Sequence, residues 1–488
     1  NADSHGDFIK WVFWLCYNVS TFGRRKGQLK EIMMKKKAPV VKNQEFDATV
    51  IDLTYEGNGV VKVDDFPIFV ANAVPGEEIR VGITKVAGTY AFGRVIKTLK
   101  ESADRNKEVD VATLTTGIAP LAHLNYDAQL RFKQNQIQEL FKKQHVDVEV
   151  SETLGMENPT GYRNKAQIPT RELRGELTTG FFRRGSHNLM PIEDFYIQDP
   201  EIDKAIVVIR DILRKYHIPA YNEFEHTGVI RNIMVRRGYY SHEMMVVLVT
   251  RSKKVPGAEM IVADIREALP EVKSIIQNVN QEKTNVILGE KNNTLWGKDV
   301  ITDTLFGKKF VIGPNSFYQV NPQTTETLYQ LAADKAGLTG DEEVIDAYSG
   351  IGTISLTIAD RVKSVLGVEV VPGAVDDAKR NADINGVNNA KFELGKAEEK
   401  MVEWHEAGMR PDVIFVDPPR KGLTPELIDA ATGMEPEKFV YISCNPATLA
   451  RDTVQILENG YHIQGPVQPI DQFPQTTHIE SVTVFVKD

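Results

Sequence analysis

The stretch EVIDAYSGIGT, residues 343–353, decides the fold of the C-terminal part of the chain. Its first six residues have the apolar, β-branched character of a buried strand, and a glycine-containing turn leads into residues 353–360, which have helical spacing. Residues 364–369 and 374–384 repeat the strand and the helix. This alternation predicts a doubly wound α/β sheet with right-handed crossovers over residues 301–488.

The turn between this strand and helix has features of a nucleotide site. Gly350 and Gly352 keep the turn thin, and Glu369 ends the next strand, where an acid can bind a ribose diol. Ser355 replaces the third glycine of a dinucleotide fingerprint, so the turn need not hold a pyrophosphate. An adenosine cofactor without phosphates fits this pattern better, and we predict S-adenosylmethionine.

Three further polar groups stand where strands of the same sheet are expected to end or begin. Asp417 ends an apolar run and is followed by two prolines, which fix the direction of the turn. Cys444 follows the β-forming run 438–442, and Glu480 precedes another such run. A free cysteine is most often a buried apolar residue. Beside a cofactor turn, a thiol and a carboxyl instead predict a nucleophile and a base that removes a substrate proton.

The N-terminal third of the chain begins with a segment of alternating apolar and polar residues, 39–100. Short strands are predicted at 46–53, 60–63, 68–70, 78–83 and 91–96. So many short strands in one small segment indicate a closed, OB-like β-barrel. The pattern resembles a TRAM domain, an RNA-binding module, although other small barrels have the same number of strands.

Residues 101–300 form a middle region that is predicted to be a mixed α/β domain. Its distinctive feature is a basic stretch interleaved with aromatic residues. The cations are Arg163, Lys165, Arg171, Arg174, Arg183 and Arg184, and Phe181 and Phe182 lie among them. Because cations hold phosphates and rings stack on bases, the stretch predicts RNA binding. The alternative is a pair of strands with solvated outer faces.

Composition limits the class of protein. The 488 residues suffice for two or three domains, and the net charge of −9 argues mildly against a surface that is basic throughout. Two cysteines exclude a disulfide framework and an all-cysteine metal or iron–sulfur site within one chain. We therefore expect a reducing, cytoplasmic setting and no bound metal. We also expect the protein to be a monomer that has no membrane partner.

Residues 1–33 differ in character from the rest of the chain. The apolar run 8–19 is too short to span a bilayer and lacks the small-residue cleavage pattern of a secretory signal. Met33 and Met34 precede three lysines, as at an ordinary protein start. We predict a non-native or disordered leader, and the alternative is an amphipathic anchor.

Five motifs occur in order along the chain. They are FYQVN at 317–321, DAYSGIGT at 346–353, DPPRKG at 417–422, SCNP at 443–446 and HIE at 478–480. Together they resemble the RNA uracil-5-methyltransferases that use S-adenosylmethionine, of the type that modifies 23S rRNA. The resemblance covers residues 39–488 and is specific as a set. It implies a TRAM domain at 39–100, a central RNA-binding domain at 101–300 and a Rossmann-like catalytic domain at 301–488.

The resemblance also implies roles for single residues. Cys444 would add to C6 of a uracil, and Glu480 would remove the C5 proton after methyl transfer, so that Cys444 can leave. Phe317 and Asp417 would lie at the target base, which must leave its stack to be reached. S-adenosylmethionine, with S-adenosylhomocysteine as its product, would be held by Gln319, Tyr348, Gly350, Glu369 and Asp417, and the RNA by Arg163, Lys165, Arg183 and Arg184.

The chain departs from many of these relatives in one respect. They carry an iron–sulfur cluster on four cysteines in the middle region. The segment 117–126 resembles the cysteine-bearing part but contains no cysteine, and none stands near Phe195, where the fourth is expected. No iron–sulfur cluster is therefore predicted, and packing must hold the middle region together.

Several alternatives remain open at this point. The target can be one or two uridines of 23S rRNA, or the T-loop of tRNA. An enzyme that makes 5-methylcytosine is less compatible, because such enzymes usually have a second cysteine near the Asp-Pro-Pro motif, where this chain has Arg420 and Lys421. The non-enzymatic alternative is an RNA-binding or ribosome-assembly protein with an inactive methyltransferase fold.

Overall fold

The structure, a computed structural model, describes residues 38–488, so the predicted leader at 1–33 lies outside the described residues. The strands of the described part form a six-stranded sheet, a seven-stranded sheet, a two-stranded hairpin and an eight-stranded sheet. The predicted multidomain α/β fold is confirmed. Among residues 38–488, no helix is long and apolar enough to cross a membrane.

The N-terminal sheet closes on itself. Its strands are β1 (Glu45–Thr49), β2 (Asp52–Leu53), β3 (Gly59–Val63), β4 (Phe66–Ala71), β5 (Glu78–Val86) and β6 (Ala91–Lys100). Their order is β1-β5-β6-β4-β3-β2, so the two edge strands are consecutive in the chain. The strand predicted at 46–53 is broken, because Val50 N donates to Glu77 O at 2.9 Å whereas Ile51 N donates to Val60 O at 2.8 Å. This change of partner makes the corner that closes the barrel.

The middle region is built on the seven-stranded sheet. Its strands are β7 (Lys165–Leu173), β8 (Glu176–Phe182), β9 (Leu189–Pro191), β10 (Ile230–Arg237), β11 (Met244–Thr250), β12 (Val272–Val279) and β13 (Lys291–Gly297). Its helices are α1 (Val111–Thr115), α2 (Tyr126–Lys143), α3 (Pro200–Lys215) and α4 (Ala258–Ala268). Ile206 and Ile209 of α3 and Ile261 of α4 share a core with Ile233 and Val246 of the sheet. Helices α3 and α4 therefore bury one face of this sheet.

The C-terminal domain is the eight-stranded sheet with helices on both faces. A hairpin of β14 (Ile301–Leu305) and β15 (Lys308–Ile312) precedes β16 (Glu343–Ala347), β17 (Ser364–Glu369), β18 (Ala390–Leu394), β19 (Val413–Val416), β20 (Lys438–Ser443), β21 (Tyr461–Ile463), β22 (Gln468–Ile470) and β23 (Glu480–Lys487). The helices are α5 (Pro322–Ala336), α6 (Thr353–Ile358) with a 3₁₀ turn at Ala359–Arg361, α7 (Pro372–Ile384), α8 (Ala397–Glu406), α9 (Pro425–Gly433) and α10 (Pro446–Glu458).

The order of this sheet is β18-β17-β16-β19-β20-β23-β21, with β22 paired to β23. The strands from β16 to β20 in the sheet pair in parallel, and β23 joins β20 in the antiparallel sense. Successive residues of a strand face opposite helical layers. Val344 packs in the cluster that contains Leu328 of α5, and Ile345 packs in the cluster that contains Leu427 of α9. Burial on both faces explains the continuous apolar runs seen in the sequence.

Helix α2 belongs to the core of the C-terminal sheet although it lies far earlier in the chain. Ile137 and Phe141 are fully buried and share a cluster with Ile345. The same buried face of the helix carries Lys133 and Gln129, one and two turns before Ile137. A lysine on this face places a charge inside the domain, close to the elements that form the site described next.

Candidate active site

Three of the predicted site residues meet at one edge of the C-terminal sheet. Asp417 follows β19, Cys444 follows β20 and Glu480 opens β23. The parallel strands β19 and β20 end at the same edge, and the antiparallel β23 begins there, with Ser443 paired to Ser481. Cys444 directly follows Ser443 and Glu480 directly precedes Ser481, so the two residues lie next to each other at the ends of neighbouring strands. The topology unites a thiol and two carboxyls from distant parts of the sequence.

The nucleophile candidate is held by the turn between β20 and α10. Cys444 Sγ lies 3.9 Å from Pro418 O, in the loop that follows Asp417. The side chain of Asn445 accepts a hydrogen bond from Ala447 N at 3.1 Å at the start of α10, and its amide donates to Arg420 O at 2.7 Å. One asparagine thus fixes Cys444 against the Asp-Pro-Pro-Arg loop.

Helix α10 holds the rest of that loop. Arg451 donates to Lys421 O at 3.0 Å and to Leu423 O at 3.1 Å. Leu423 N donates to the carboxylate of Asp452 at 2.8 Å, and Tyr441 donates to the same oxygen at 2.8 Å. These bonds tie the loop that follows Asp417 to one helix and one strand.

Burial controls the electrostatics of this edge. Burial, followed by the carboxylates of Glu480 and Asp417, raises the pKa of Cys444 to about 12, against a smaller opposite effect of Arg420. Burial and then Asp417 raise the pKa of Glu480 well above its usual value, and Arg420 again opposes them. Burial and then Asp346 raise the pKa of Asp417 to about 7. The cleft therefore holds protons at neutral pH, and Arg420 favours ionisation of both the thiol and the base candidate.

The predicted cofactor turn lies at the end of the adjacent strand β16. Tyr348, Gly350 and Gly352 adopt positive φ angles of 72°, 56° and 84°, which make a sharp turn across the sheet edge. Gly350 N donates to Glu369 Oε2 at 3.1 Å, and Val371 N donates to Glu369 Oε1 at 2.8 Å. Two backbone groups thus orient the Glu369 carboxylate beside the glycines.

Ser355 explains why this turn differs from a dinucleotide site. It stands at the third-glycine position, and its backbone N donates to Asp346 Oδ2 at 3.1 Å. Its hydroxyl donates to the same carboxylate oxygen. Ser355 thus links the start of α6 to the end of β16 by hydrogen bonds. In a dinucleotide site a glycine stands at this position, where it allows the helix to pack closely on the strand.

The groups around the turn fit S-adenosylmethionine. Tyr348 Oη and Ser349 Oγ are buried and have no hydrogen-bond partner within the part of the chain that the structure describes. Val370 and Val371 follow Glu369 and are 56% and 53% exposed. A ribose diol would pair with the carboxylate, the polar groups of the cofactor with the unpartnered hydroxyls, and an adenine ring with the apolar pair.

Gln319 and Phe317 lie on the loop between β15 and α5, beside the sheet edge. Gln319 is buried, its carbonyl accepts from Asn164 Nδ2 at 3.2 Å, and its side chain meets Gln472 Nε2 at 3.5 Å. Phe317 is 67% exposed, although Arg236 holds the preceding carbonyl at 2.9 Å. An exposed ring on a tied loop suits stacking against a nucleobase.

The structure brings Arg163 and Lys165 to this side of the molecule. They flank Asn164, whose backbone N donates to Val320 O at 2.9 Å on the Phe317 loop. Burial, then Arg236 and Arg163, lower the pKa of Lys165 to about 7. These two cations therefore adjoin the loop that carries the predicted base-stacking ring.

Arg183 and Arg184 lie elsewhere, on the turn between β8 and β9. Both are exposed and line a separate cleft of about 550 Å³ with Phe182 and His187. Another cation of the basic stretch, Arg171, is engaged in an ion pair with Glu223 at 2.7 Å, and its guanidinium stacks over Phe182 at 5.2 Å. The basic stretch is thus divided between two places in the fold.

Sequence reasoning missed the groups that hold the residues before Glu480. Lys133 forms a fully buried ion pair with Asp471, and Gln129 exchanges hydrogen bonds with Gln475. A signal was present, because Gln129, Lys133, Ile137 and Phe141 recur every four residues on one helix face. A lysine inside such a series indicates a buried partner, but the sequence does not say which one.

Comparison with known proteins identifies the family and a domain of the chain. Residues 39–96 match the TRAM domain, and residues 125–488 match the tRNA (uracil-5-)-methyltransferase family. An uncharacterized RNA methyltransferase of Lactiplantibacillus plantarum is 60% identical over 456 residues, which are 93% of this chain and 100% of that protein. Another from Enterococcus faecalis is 52% identical over 93% of this chain and 99% of that protein.

A solved structure matches nearly the whole chain. The tRNA (uracil-54, C5)-methyltransferase of Pyrococcus abyssi, in complex with S-adenosylhomocysteine, has a TM-score of 0.73 and 28% identity. The match covers 90% of this chain and 99% of that one. The chain therefore belongs to the tRNA (uracil-5-)-methyltransferase family, whose members are S-adenosylmethionine-dependent RNA methyltransferases, and it carries a TRAM domain.

Proposed function

We propose that the protein transfers a methyl group from S-adenosylmethionine to C5 of one or two uridines in 23S rRNA, through a covalent bond between Cys444 and C6. The observation that carries the proposal is the pairing of Ser443 with Ser481, because it sets Cys444 and Glu480 side by side. Uracil C5 is a poor nucleophile until a group adds at C6. A thiol for that addition and a carboxyl for the later loss of the C5 proton are the two groups required.

The first step forms the Cys444 Sγ–C6 bond. The thiol gives up its proton, the thiolate adds to C6, and the electron pair of the C5–C6 double bond moves to C5 and O4. Arg420 favours the thiolate, because it lowers the pKa that burial raises. Asp417, which is partly exposed, would bind the polar edge of the base, and the exposed ring of Phe317 would stack on it.

The second step uses the electrophilic methyl group that S-adenosylmethionine supplies when bound. The residues proposed to hold it are Gln319, Tyr348, Gly350, Glu369 and Asp417. C5 would take this methyl group as its bond to the cofactor sulfur breaks, and S-adenosylhomocysteine would be the leaving group. Glu480 then removes the C5 proton, the C5–C6 double bond forms again and the C6–S bond breaks, which returns the Cys444 thiolate. Glu480 is suited to this transfer because its Oε2 is buried and has no hydrogen-bond partner among residues 38–488.

The RNA surface is proposed to extend from the cleft to the barrel. Arg163 and Lys165 would bind phosphates near the target, and Arg183 and Arg184 would bind phosphates farther away. On the barrel, Phe69, Tyr90 and Phe92 form a cluster with ring centroids 5.5 to 6.0 Å apart. These rings are partly exposed. The exposed cation Arg94 lies on β6 with Phe92, and the exposed Lys85 lies opposite Phe92 on β5. Rings beside cations are typical of surfaces that bind unpaired RNA.

The choice of 23S rRNA rests on the motif resemblance, and the name of the Pyrococcus protein favours tRNA instead. Purified protein, radiolabelled S-adenosylmethionine and transcripts of 23S rRNA and of tRNA decide between them. We expect label in 23S rRNA, recovered as 5-methyluridine. Label in tRNA alone would establish the T-loop alternative. Cofactor and RNA binding without methylation of either transcript would favour the non-catalytic RNA-binding alternative. We also propose that the protein works as a monomer in the cytoplasm.

A further inference from the structure

The residues directly before the proposed base form a buried loop, 471–478, which we call the base loop. Asp471 and Gln472 are completely buried, and Gln475 is nearly so. Gln475 also adopts a left-handed conformation with φ of 68°, which is uncommon for a residue that is not glycine. The chain enters β23 at Glu480, two residues after the end of the base loop. A loop so short and so buried sets the position of the Glu480 side chain.

A single lysine of helix α2 holds the start of the base loop. Lys133 Nζ forms an ion pair with Asp471, and both side chains are 0% exposed. The same ammonium donates to Phe473 O at 3.1 Å. Burial lowers the pKa of Lys133 and the Asp471 charge opposes this, so the ammonium depends on its partner. Lys133 thus fixes two points of the loop from a helix 338 residues away in the sequence.

Other groups hold the remaining part of the base loop. Gln129 Nε2 donates to Gln475 Oε1 at 2.8 Å, and Gln475 N donates to Gln129 Oε1 at 3.0 Å. Tyr162 Oη donates to Pro474 O at 3.0 Å, and Leu121 N donates to Gln475 O at 2.9 Å. All these donors and acceptors come from residues 121–162, not from the sheet that carries Glu480. The base loop is therefore held in part by a helix and loops that come much earlier in the chain than the strand that carries Glu480.

The nucleophile has a separate support. Cys444 is fixed through Asn445 and the Asp-Pro-Pro-Arg loop to helix α10, as described above. None of those bonds involves Lys133, Asp471 or Gln129 within the described residues. Substitution of Lys133 should therefore disturb the position of Glu480 more than the position of Cys444.

We propose that Lys133 is a positioning residue for Glu480: its ion pair with Asp471 sets the base loop so that the C5 proton can be removed, while addition and methyl transfer do not require it. The inference rests on the proposed function. In chemical terms, loss of Lys133 leaves the C5 proton in place after methyl transfer. The C6–S bond then cannot break, and the enzyme remains joined to its RNA.

The test compares two RNA substrates with Lys133→Met. With 5-fluorouridine RNA, fluorine replaces the C5 proton, so covalent capture reports addition and methyl transfer without the base. With uridine RNA, product release requires the base. We expect capture of 5-fluorouridine RNA within about twofold of the parent protein, and release of methylated product from uridine RNA at least about tenfold slower, with a denaturant-resistant adduct on uridine RNA.

Three matched variants make the result specific. Lys142→Met makes the same change at an exposed position of α2 and should match the parent protein in both assays. Lys133→Met/Asp471→Asn removes the unpaired buried charge, so it should regain thermal stability but not fast release, because helix α2 no longer contacts Phe473 O, whose remaining donors come from Thr476 within the loop. Gln129→Leu removes the second contact to the loop without leaving a buried charge, so it tests the idea if Lys133→Met does not fold, and it too should slow release and not capture.

The outcomes separate the two proposals. If the parent protein neither methylates uridine nor captures 5-fluorouridine RNA, the proposed function is wrong. If the parent protein does both and the Lys133 and Gln129 variants release product at its rate, only the positioning role is wrong. A parallel fall in capture and release, with loss of cofactor binding, would likewise overturn the role, because it would show a general structural effect.

Discussion

The nucleophile side and the base side of the site are built in different ways, although they lie on adjacent strands. Cys444 is held by local parts of one sheet: the end of β20, the start of α10 and the loop after β19. Glu480 is held by a loop that residues 121–162 clamp from another part of the chain. The comparison teaches that the nucleophile depends on elements next to it in the chain and in the sheet, whereas the base also depends on a helix and loops from much earlier in the chain.

The largest effect should come from the nucleophile side. Cys444→Ala removes the thiol, so we expect no methylation and no covalent capture of 5-fluorouridine RNA. Cofactor and RNA binding should stay within a few-fold, because the alanine keeps the backbone of the α10 turn. Methyl-transfer assays and equilibrium binding check this. Substantial turnover by the variant would rule out a covalent mechanism through Cys444.

The base side should show a different defect. Glu480→Gln keeps the size of the side chain but cannot accept the C5 proton, so methyl transfer should proceed and elimination should stop. We expect a denaturant-resistant protein–RNA adduct that carries one methyl group, visible as a gel-shifted band, with turnover reduced at least about a hundredfold. Cys444→Ala/Glu480→Gln is the control and should form no band. Normal product release by the single variant would show that Glu480 is not the base.

The nucleophile side should also show a pH dependence, which covalent capture measures without a contribution from the base. Burial raises the pKa of Cys444 to about 12 and that of Glu480 well above its usual value, so both reactive forms are the minor, deprotonated ones at neutral pH. The rate of covalent capture should therefore rise with pH, by about tenfold per unit where one ionisation limits it, between pH 6.5 and 8.5. Arg420→Met, which removes the cation that favours both ionised forms, should be slower across that range. A rate that falls as pH rises would contradict this.

A smaller effect should separate the two groups of cations. Arg163→Ala/Lys165→Ala should weaken RNA binding and also slow methyl transfer, because these residues adjoin the Phe317 loop. Arg183→Ala/Arg184→Ala should weaken binding alone, and each lost phosphate contact should reduce the slope of log affinity against log salt by about one. Lys487→Ala, at the opposite edge of the sheet, is the control. Unchanged affinity and salt slope for the Arg183 pair would support a merely solvated face.

The smallest effect is expected from chelators. The middle region has no cysteines for a cluster, since Cys444 is the free cysteine of the described residues and Cys16 lies outside them. Treatment with a strong iron chelator should change neither activity nor thermal stability, whereas it inactivates proteins that depend on an iron–sulfur cluster. Iron in stoichiometric amount, after anaerobic purification, would overturn this prediction.

Much of the fold could be predicted because local pattern and tertiary structure agree there. The strand at 364–369 is found with the predicted bounds, and the strand at 343–348 ends one residue earlier, as Tyr348 already turns. The barrel strand at 46–53 was predicted as one piece but is broken at Val50. Its alternation continues through the corner, since a change of hydrogen-bond partner leaves no mark on side-chain type.

The sequence alone determined the chemistry at each strand end: a thiol at 444, carboxyls at 369, 417 and 480, and a thin glycine turn at 350–352. These follow from residue types and from runs of a few neighbours. Only the tertiary structure decided which groups meet, such as Glu480 beside Cys444, or Lys133 beneath the base loop. The tertiary structure also separates the basic stretch into two groups: Arg163 and Lys165 lie beside the Phe317 loop, and Arg183 and Arg184 lie on an exposed turn. The physical reason is that burial and charge pairing depend on contacts between residues far apart in the chain, which no local pattern records.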